Sequence, residues 1–304
     1  MDGSDTLKRF IFERFPVRGH FVRLDASWRA LIEHHDYPDV IRTALGESAA
    51  ATLLLAATVK FDGRLTLQLQ GPGPMHLLVV QAHPGYSLRG VARWKGELPA
   101  TGATLPELSG GGQIVVTIEN EDRTSRYQGV VPVEAPHLVN SFEDYFERSE
   151  QLPTRLWLVA NETCCAGLLL QRLPMGASAS SETSDTVLAE ADEDWNRILH
   201  LAGTLTAEEL AHLPADELLR RLFHEEDVRV FDPAPVSFRC ACSRERVDSI
   251  IRSLGEAESR DVLAEQGAVE IKCEFCNRAW RYDAVDIGAL FSVAPDADSP
   301  RALH

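Results

Sequence analysis

The chain has 304 residues, of which 44% are hydrophobic and 25% charged. That balance excludes a disordered or fibrous protein and leaves room for two or three folded domains. The formal net charge of −16 makes a surface that repels phosphate backbones, which weighs against nucleic-acid binding.

The N-terminus opens acidic, Met1-Asp2-Gly3-Ser4-Asp5, and shows no secretory signal. Ser27 is placed to cap a short helix over Trp28 to His35. An Ala- and Leu-rich stretch, Val40 to Lys60, reads as a longer helix. Its apolar run, Ala49 to Val59, is too short to span a bilayer, so a cytoplasmic protein without membrane contact is expected. Phe61-Asp62-Gly63-Arg64 is a turn. After it Leu65, Leu67 and Leu69 alternate with Thr66, Gln68 and Gln70, the period of a half-buried strand. Further strands are predicted over His76 to Gln81, Leu88 to Trp94, Gln113 to Ile118 and Tyr127 to Val133, and a helix over Leu138 to Arg148. Short strands between Gly and Pro turns, with helices packed on them, predict an α+β fold with a mixed sheet in residues 1–178.

Small polar residues from Met175 to Ser184 mark a boundary. Beyond it Val187, Leu188, Ala191, Trp195, Ile198, Leu199 and Ala202 recur at helical spacing. Thr206-Ala207-Glu208-Glu209 is a capping box, and Leu205 with Leu210 is suited to a hydrophobic staple. Leu218, Leu219, Leu222 and Phe223 form another apolar stripe after Pro214. Acidic residues crowd this segment, among them Glu190, Asp192, Glu193, Asp194, Glu208 and Glu209. Short helices with like charges lean on packing for their stability, so residues 179–232 are expected to be a metastable helical linker.

The last part, residues 233–304, is read as a small zinc-binding module. Ser243 caps a helix carrying Val247, Ile250, Ile251 and Leu254, which Gly255 ends. A second helix, Ala257 to Gln266, ends at Gly267. Val269 to Ile271 and Ala279 to Tyr282 read as strands, and Asp283 caps a last helix. The module carries two cysteine pairs, Cys240-Ala241-Cys242 and Cys273-Glu274-Phe275-Cys276, with 30 residues between Cys242 and Cys273. Brought together by folding, Cys240, Cys242, Cys273 and Cys276 supply four thiolates for one tetrahedral Zn²⁺ per chain in the reduced state. A structural zinc site contributes roughly 10–16 kcal/mol of apparent binding free energy. A whole domain is stable by only about 5–15 kcal/mol, so a thin module should not survive loss of its metal. Oxidation would remove the ligands. Cys240–Cys242 and Cys273–Cys276 are the pairs already in proximity, and the short C-x-C ring is strained and easily reduced.

These pairs and their flanks resemble the redox switch of the bacterial redox-regulated heat-shock chaperone of 33 kDa. The flanks include Leu222-Phe223-His224-Glu225-Glu226, Phe231-Asp232-Pro233 and Cys242-Ser243-Arg244-Glu245-Arg246. The similarity extends through Asp36-Tyr37-Pro38, Lys60-Phe61-Asp62-Gly63, Gln68 to Met75, Arg89 to Arg93, Tyr127 to Val131, Tyr145 to Thr154 and Gly167 to Gln171. The resemblance implies an ATP-independent holdase, not an enzyme. It is inactive when reduced and zinc-bound. Oxidation forms two disulfides, releases zinc and unfolds the linker, and the protein then dimerises and binds unfolded or partly unfolded clients. The vicinal pair Cys164-Cys165 does not belong to the resembled pattern and reads as small buried thiols.

Two other readings are carried. A zinc-ribbon interaction or regulatory protein would hold its metal purely structurally. A thiol–disulfide oxidoreductase would use Cys273 and Cys276, but would want that pair at a strand-to-helix turn. The prolines of Gly71-Pro72-Gly73-Pro74 remove the N–H groups that cradle phosphate, and there is no Walker A sequence.

Overall fold

The computed structural model describes residues 5–122, 125–174 and 185–292, without the side chains of 149–150 and 185–191. The chain divides into two units, Met1–Arg239 and Cys240–His304. In chain order the first unit comprises β1 (Thr6–Phe12), β2 (Val17–Leu24), α1 (Ala26–Ile32), α2 (Asp39–Thr58), β3 (Gly63–Gln70), β4 (Met75–His83), β5 (Ser87–Trp94), α3 (Leu105–Ser109), β6 (Gln113–Asn120) and β7 (Arg126–Pro132). It continues with α4 (Leu138–Tyr145) and its π-helical extension Phe146–Glu150, then β8 (Thr154–Ala160), β9 (Cys165–Arg172), α5 (Asp185–Ala202), α6 (Ala207–His212), α7 (Ala215–Phe223), β10 (Val228–Val230), β11 (Ala234–Pro235) and β12 (Ser237–Phe238).

The architecture is α+β, as expected, and it holds two sheets. One runs β10-β1-β2-β9-β8, with β11 also on β1; the other runs β12-β5-β4-β3-β6-β7. Neighbours are antiparallel, except that β12 runs parallel to β5. Helix α2 packs on both sheets and is apolar nearly all round, as a fully buried helix must be. It is long and apolar enough to cross a bilayer, yet 72% of that window is buried inside the protein, so it is the core helix. Close packing explains its glycine: a Cβ at Gly46 would lie 2.5 Å from the Ala160 Cβ and 3.0 Å from the Trp28 ring.

The other face of the first sheet is covered by α5, α6 and α7. Phe10, Phe12, Phe21, Leu168 and Leu170 from the sheet form one core with Trp195, Ile198, Leu210, Leu218, Leu222 and Phe223. Trp195, Ile198 and Ala202 confirm the predicted stripe of α5, whereas Val187, Leu188 and Ala191 lie outside the described side chains, as does the Met175–Ser184 boundary. The capping box is present at α6: Thr206 Oγ1 accepts the Glu209 N–H at 3.2 Å, and Glu209 Oε2 accepts the Thr206 N–H at 3.0 Å.

Residues Val228–Arg239, carrying β10, β11 and β12, form a strap along the edges of both sheets of this unit. Residues 233–239, read from the sequence with the cysteine module, thus pair with strands of the first unit.

Several elements differ from the sequence reading. Strands β1, β2, β8 and β9 carry no predicted counterpart. Helix α1 starts after Asp25, not Ser27. The Ser27 hydroxyl instead accepts the Phe238 N–H at 3.2 Å and donates to the Val236 carbonyl at 3.5 Å.

The second unit comprises α8 (Arg244–Leu254), α9 (Glu256–Gln266), β13 (Val269–Lys272), β14 (Ala279–Tyr282) and α10 (Ala284–Ser292). Its buried core is Val247, Ile251, Val269, Tyr282, Ile287 and Leu290. Of the predicted α8 stripe, Val247 and Ile251 turn inward, while Ile250 and Leu254 are 56% and 49% exposed.

Candidate metal centre

Two local structures aim four sulfurs at one point. The first is the approach to α8. Ser243 Oγ caps the helix by accepting the Arg246 N–H at 3.3 Å, and the Arg246 guanidinium donates to the Ala241 carbonyl at 3.1 Å. The residue between Cys240 and Cys242 is thereby tied to the helix that follows. The second is the loop of the β13–β14 hairpin, beyond its last pair Lys272↔Ala279. The Cys273 N–H donates to the Arg278 carbonyl at 2.9 Å, and the Asn277 N–H to the Cys273 carbonyl at 2.8 Å. Asn277 takes a left-handed φ of 53°, which Asn tolerates better than most residues and which closes the knuckle.

The four thiols are free, and their sulfurs all lie within 4.8 Å of one another. Cys240 and Cys273 are 3.5 Å apart, and Cys242 and Cys276 are 3.4 Å apart. With Zn–S bonds of about 2.3 Å, a tetrahedral site sets its sulfurs about 3.8 Å apart, so the spacing and the all-sulfur donor set fit such an ion. These four form the one His, Cys, Asp or Glu cluster of metal-binding geometry among the described residues.

Burial raises the Cys242 thiol, and the neighbouring thiols of Cys276 and Cys240 raise it further. Burial also raises Cys276. At Cys273 burial acts upward too, but the amides of Cys276 and Phe275 point at its sulfur and leave it below the usual thiol value.

Behind the sulfurs the unit is held by a small polar set. The Tyr282 hydroxyl donates to Asp248 at 2.5 Å, and the ring lies under the Arg244 guanidinium at 4.8 Å, which pairs with Asp286 at 2.9 Å. Burial and that carboxylate push Tyr282 up to about 12. Asp283 caps α10 as predicted, accepting the N–H groups of Val285 and Asp286. The Cys273-Cys276 pair lies in a hairpin, not at a helix N-terminus.

The vicinal cysteines lie elsewhere, in the first unit. Cys164 donates to the Ala211 carbonyl at 3.5 Å, while Cys165 packs toward Gly46 of α2. Burial raises both thiols. Beside Cys164, Arg23 of β2 donates to the His212 carbonyl at 2.8 Å, so a turn and a strand together receive the C-terminal end of α6. Arg23 carried no sequence signal, because its partner is 189 residues away. Trp195 and Phe223 are core residues, 8% and 2% exposed.

An α+β core carrying helices on one sheet face, followed by a separate four-cysteine unit with metal geometry, is the architecture these observations define. A family model described as Hsp33 protein matches residues 5–283. The 33 kDa chaperonin of Nitrosococcus oceani is 48% identical over all 304 residues and the whole of both chains. That of Methylobacillus flagellatus is 45% identical, with 96% of each chain covered. The crystal structure of the 33 kDa chaperonin of Thermotoga maritima shares the fold, with a TM-score of 0.77 at 20% identity over 95% of this chain and 98% of that one. The chain belongs to the Hsp33 protein family.

Proposed function

We propose that this chain is an ATP-independent holdase, idle while reduced and metal-bound and switched on by oxidation. The observation that carries the reading is the four-sulfur cluster in a unit whose buried core is six side chains. When bound, Zn²⁺ would supply a tetrahedral cross-link and hold the four thiolates deprotonated. A contribution of about 10–16 kcal/mol exceeds what so small a core can replace. Residues 233–304 are read as the switch module and 179–232 as the linker that answers it.

Peroxide supplies the oxidant. Cys240 with Cys242, and Cys273 with Cys276, each give up two electrons as an S–S bond forms, and each H₂O₂ takes those electrons with two protons to become two waters. The ligand set is then gone and the unit from Cys240 onward loses its fold. The linker helices are docked by the apolar core they share with the first sheet, to which exposed ion pairs add little. The pair between Lys8 of β1 and Asp216 of α7, at 2.7 Å, is partly exposed and adds only about 0–1 kcal/mol to the hold on these helices. Their departure uncovers Phe10, Phe12, Phe21, Leu168 and Leu170, an apolar surface fit for unfolded or partly unfolded clients. The reading includes homodimers on activation and a cytoplasmic setting, where thiols start reduced.

The test measures zinc, free thiols and suppression of client aggregation before and after peroxide with mild warming. The expected result is loss of about one zinc and four thiols per chain together with a gain of protection. Zinc that resists peroxide, with no gain of protection, would instead mark a purely structural metal.

A further inference from the structure

Backbone hydrogen bonds run along the whole strap, beside an Arg229–Glu13 ion pair at 2.5 Å, the Arg9 guanidinium over the Phe231 ring, and the packing of Val236 and Phe238 on the core. The strap's Phe231 N–H donates to the Arg9 carbonyl at 2.9 Å, and the Asp227 carbonyl just ahead of it accepts the Glu13 N–H at 2.9 Å. Farther on, the Val236 N–H donates to the Asp5 carbonyl at 2.8 Å. On the second sheet the Ser237 N–H reaches the Tyr86 carbonyl at 3.3 Å, and the Arg239 N–H the Leu88 carbonyl at 2.9 Å. Between Val228 and Arg239 the one buried side chain is Val236. Phe231 and Val230 remain 38% and 39% exposed, and Pro233 and Pro235 bring no donor at all.

Under this strap lie the edges of two sheets. Without it β1 and β5 would each end a sheet, with outward N–H and C=O groups unpaired. Such an edge recognises an extended backbone and tolerates varied side chains. The strap is itself such an occupant, antiparallel on β1 and parallel on β5. Its last residue, Arg239, directly precedes Cys240, so its C-terminal anchorage is covalently continuous with the sulfur cluster.

We propose that the strap of the resting protein occupies the β1 and β5 edges that an extended segment of an unfolding client takes once the strap has left. The inference rests on the holdase reading and names its mode of client recognition. A native protein keeps its backbone groups in its own ladders, whereas an unfolding one offers them free, so the edge selects for non-native chains without selecting a sequence. The occupant is an extended client segment and not a second copy of this chain.

The test uses the full-length chain activated by peroxide. A synthetic peptide spanning residues 227–239, which contains no cysteine, competes with a chemically unfolded client. A second peptide is identical but N-methylated at Phe231, Val236 and Arg239, which removes three donors and leaves every side chain. The first should weaken protection of the client at least about fivefold at saturation, and the second should leave it nearly intact. A benzophenone amino acid in place of the exposed Arg9 should capture client on illumination, and the unmethylated peptide should suppress that capture. Equal competition by the two peptides, protection unaffected by either, or capture of a second copy of the chain in place of client would each overturn the inference while leaving the holdase reading standing. Absence of protection before any peptide is added would overturn both.

Discussion

Glu47 shows how a single buried group tunes this protein. It sits on the core helix α2, and burial pushes its carboxyl up to about 7. The folded protein therefore holds this proton more tightly than the unfolded chain, whose carboxyl titrates near 4.5. Its stabilising share is fully present below pH 4.5 and is lost as pH rises through 7. Glu47→Gln should raise the melting temperature at pH 8, by about 1–3 kcal/mol of stability, and change it little at pH 4. Thermal melts of both proteins at the two pH values check this, and an equal gain at both would refute the assignment. The four clustered cysteines were legible at this scale because the spacing within each pair is local. Arg18 was not, although its guanidinium donates to Gln171 Oε1 at 2.9 Å while the Gln171 amide donates to Thr154 at 2.9 Å. That buried polar chain links three strands, and nothing nearby in sequence announces it.

Among the elements, strand β3 and the α6 capping box were readable because a half-buried strand and a helix N-terminus print their geometry on consecutive residues. Strand β9 faces α2 on one side and the linker helices on the other, so it is buried from Cys165 to Gln171 and shows no alternation. Strand β2 hides for the opposite reason: Arg18, His20 and Arg23 interrupt its apolar residues. The strap consists of strands of two or three residues separated by prolines, too short for any period. Helix α7 was read correctly, and its Leu222 is 2% exposed against the sheet. A carboxylate there has no partner, so Leu222→Asp should cost α7 more than about 3 kcal/mol of docking. If docking is what keeps the protein idle, the reduced variant with its zinc intact should protect a client from aggregation. An inert variant whose linker has become protease-sensitive would separate linker release from activity.

For the molecule as a whole, the division at Arg239 predicts two melting transitions of different chemistry. The first unit has two sheets closed on an apolar helix, and none of its described residues form a cluster of metal-binding geometry. The second is expected to depend on its four sulfurs. Chelation under reducing conditions should abolish the protease resistance of residues 240–292 and leave the upper transition within a few degrees of its original temperature. A chelated C-terminal unit that stays resistant would contradict the metal dependence. The α+β class was anticipated, while the division into two sheets and their layering around α2 were not, because these depend on which strands meet across more than a hundred residues.

The different surroundings of the adjacent Cys164 and Cys165 have a practical consequence. Cys164 ends the turn before β9 and meets the Ala211 carbonyl of α6, while Cys165 opens β9 and packs toward α2. A sulfhydryl titration thus carries its own internal gauge: one thiol shielded by α6, another by α2. Labelling at Cys164 without labelling at Cys165 would report that α6 has lifted while the sandwich beneath it is still whole, with no dye or engineered probe required.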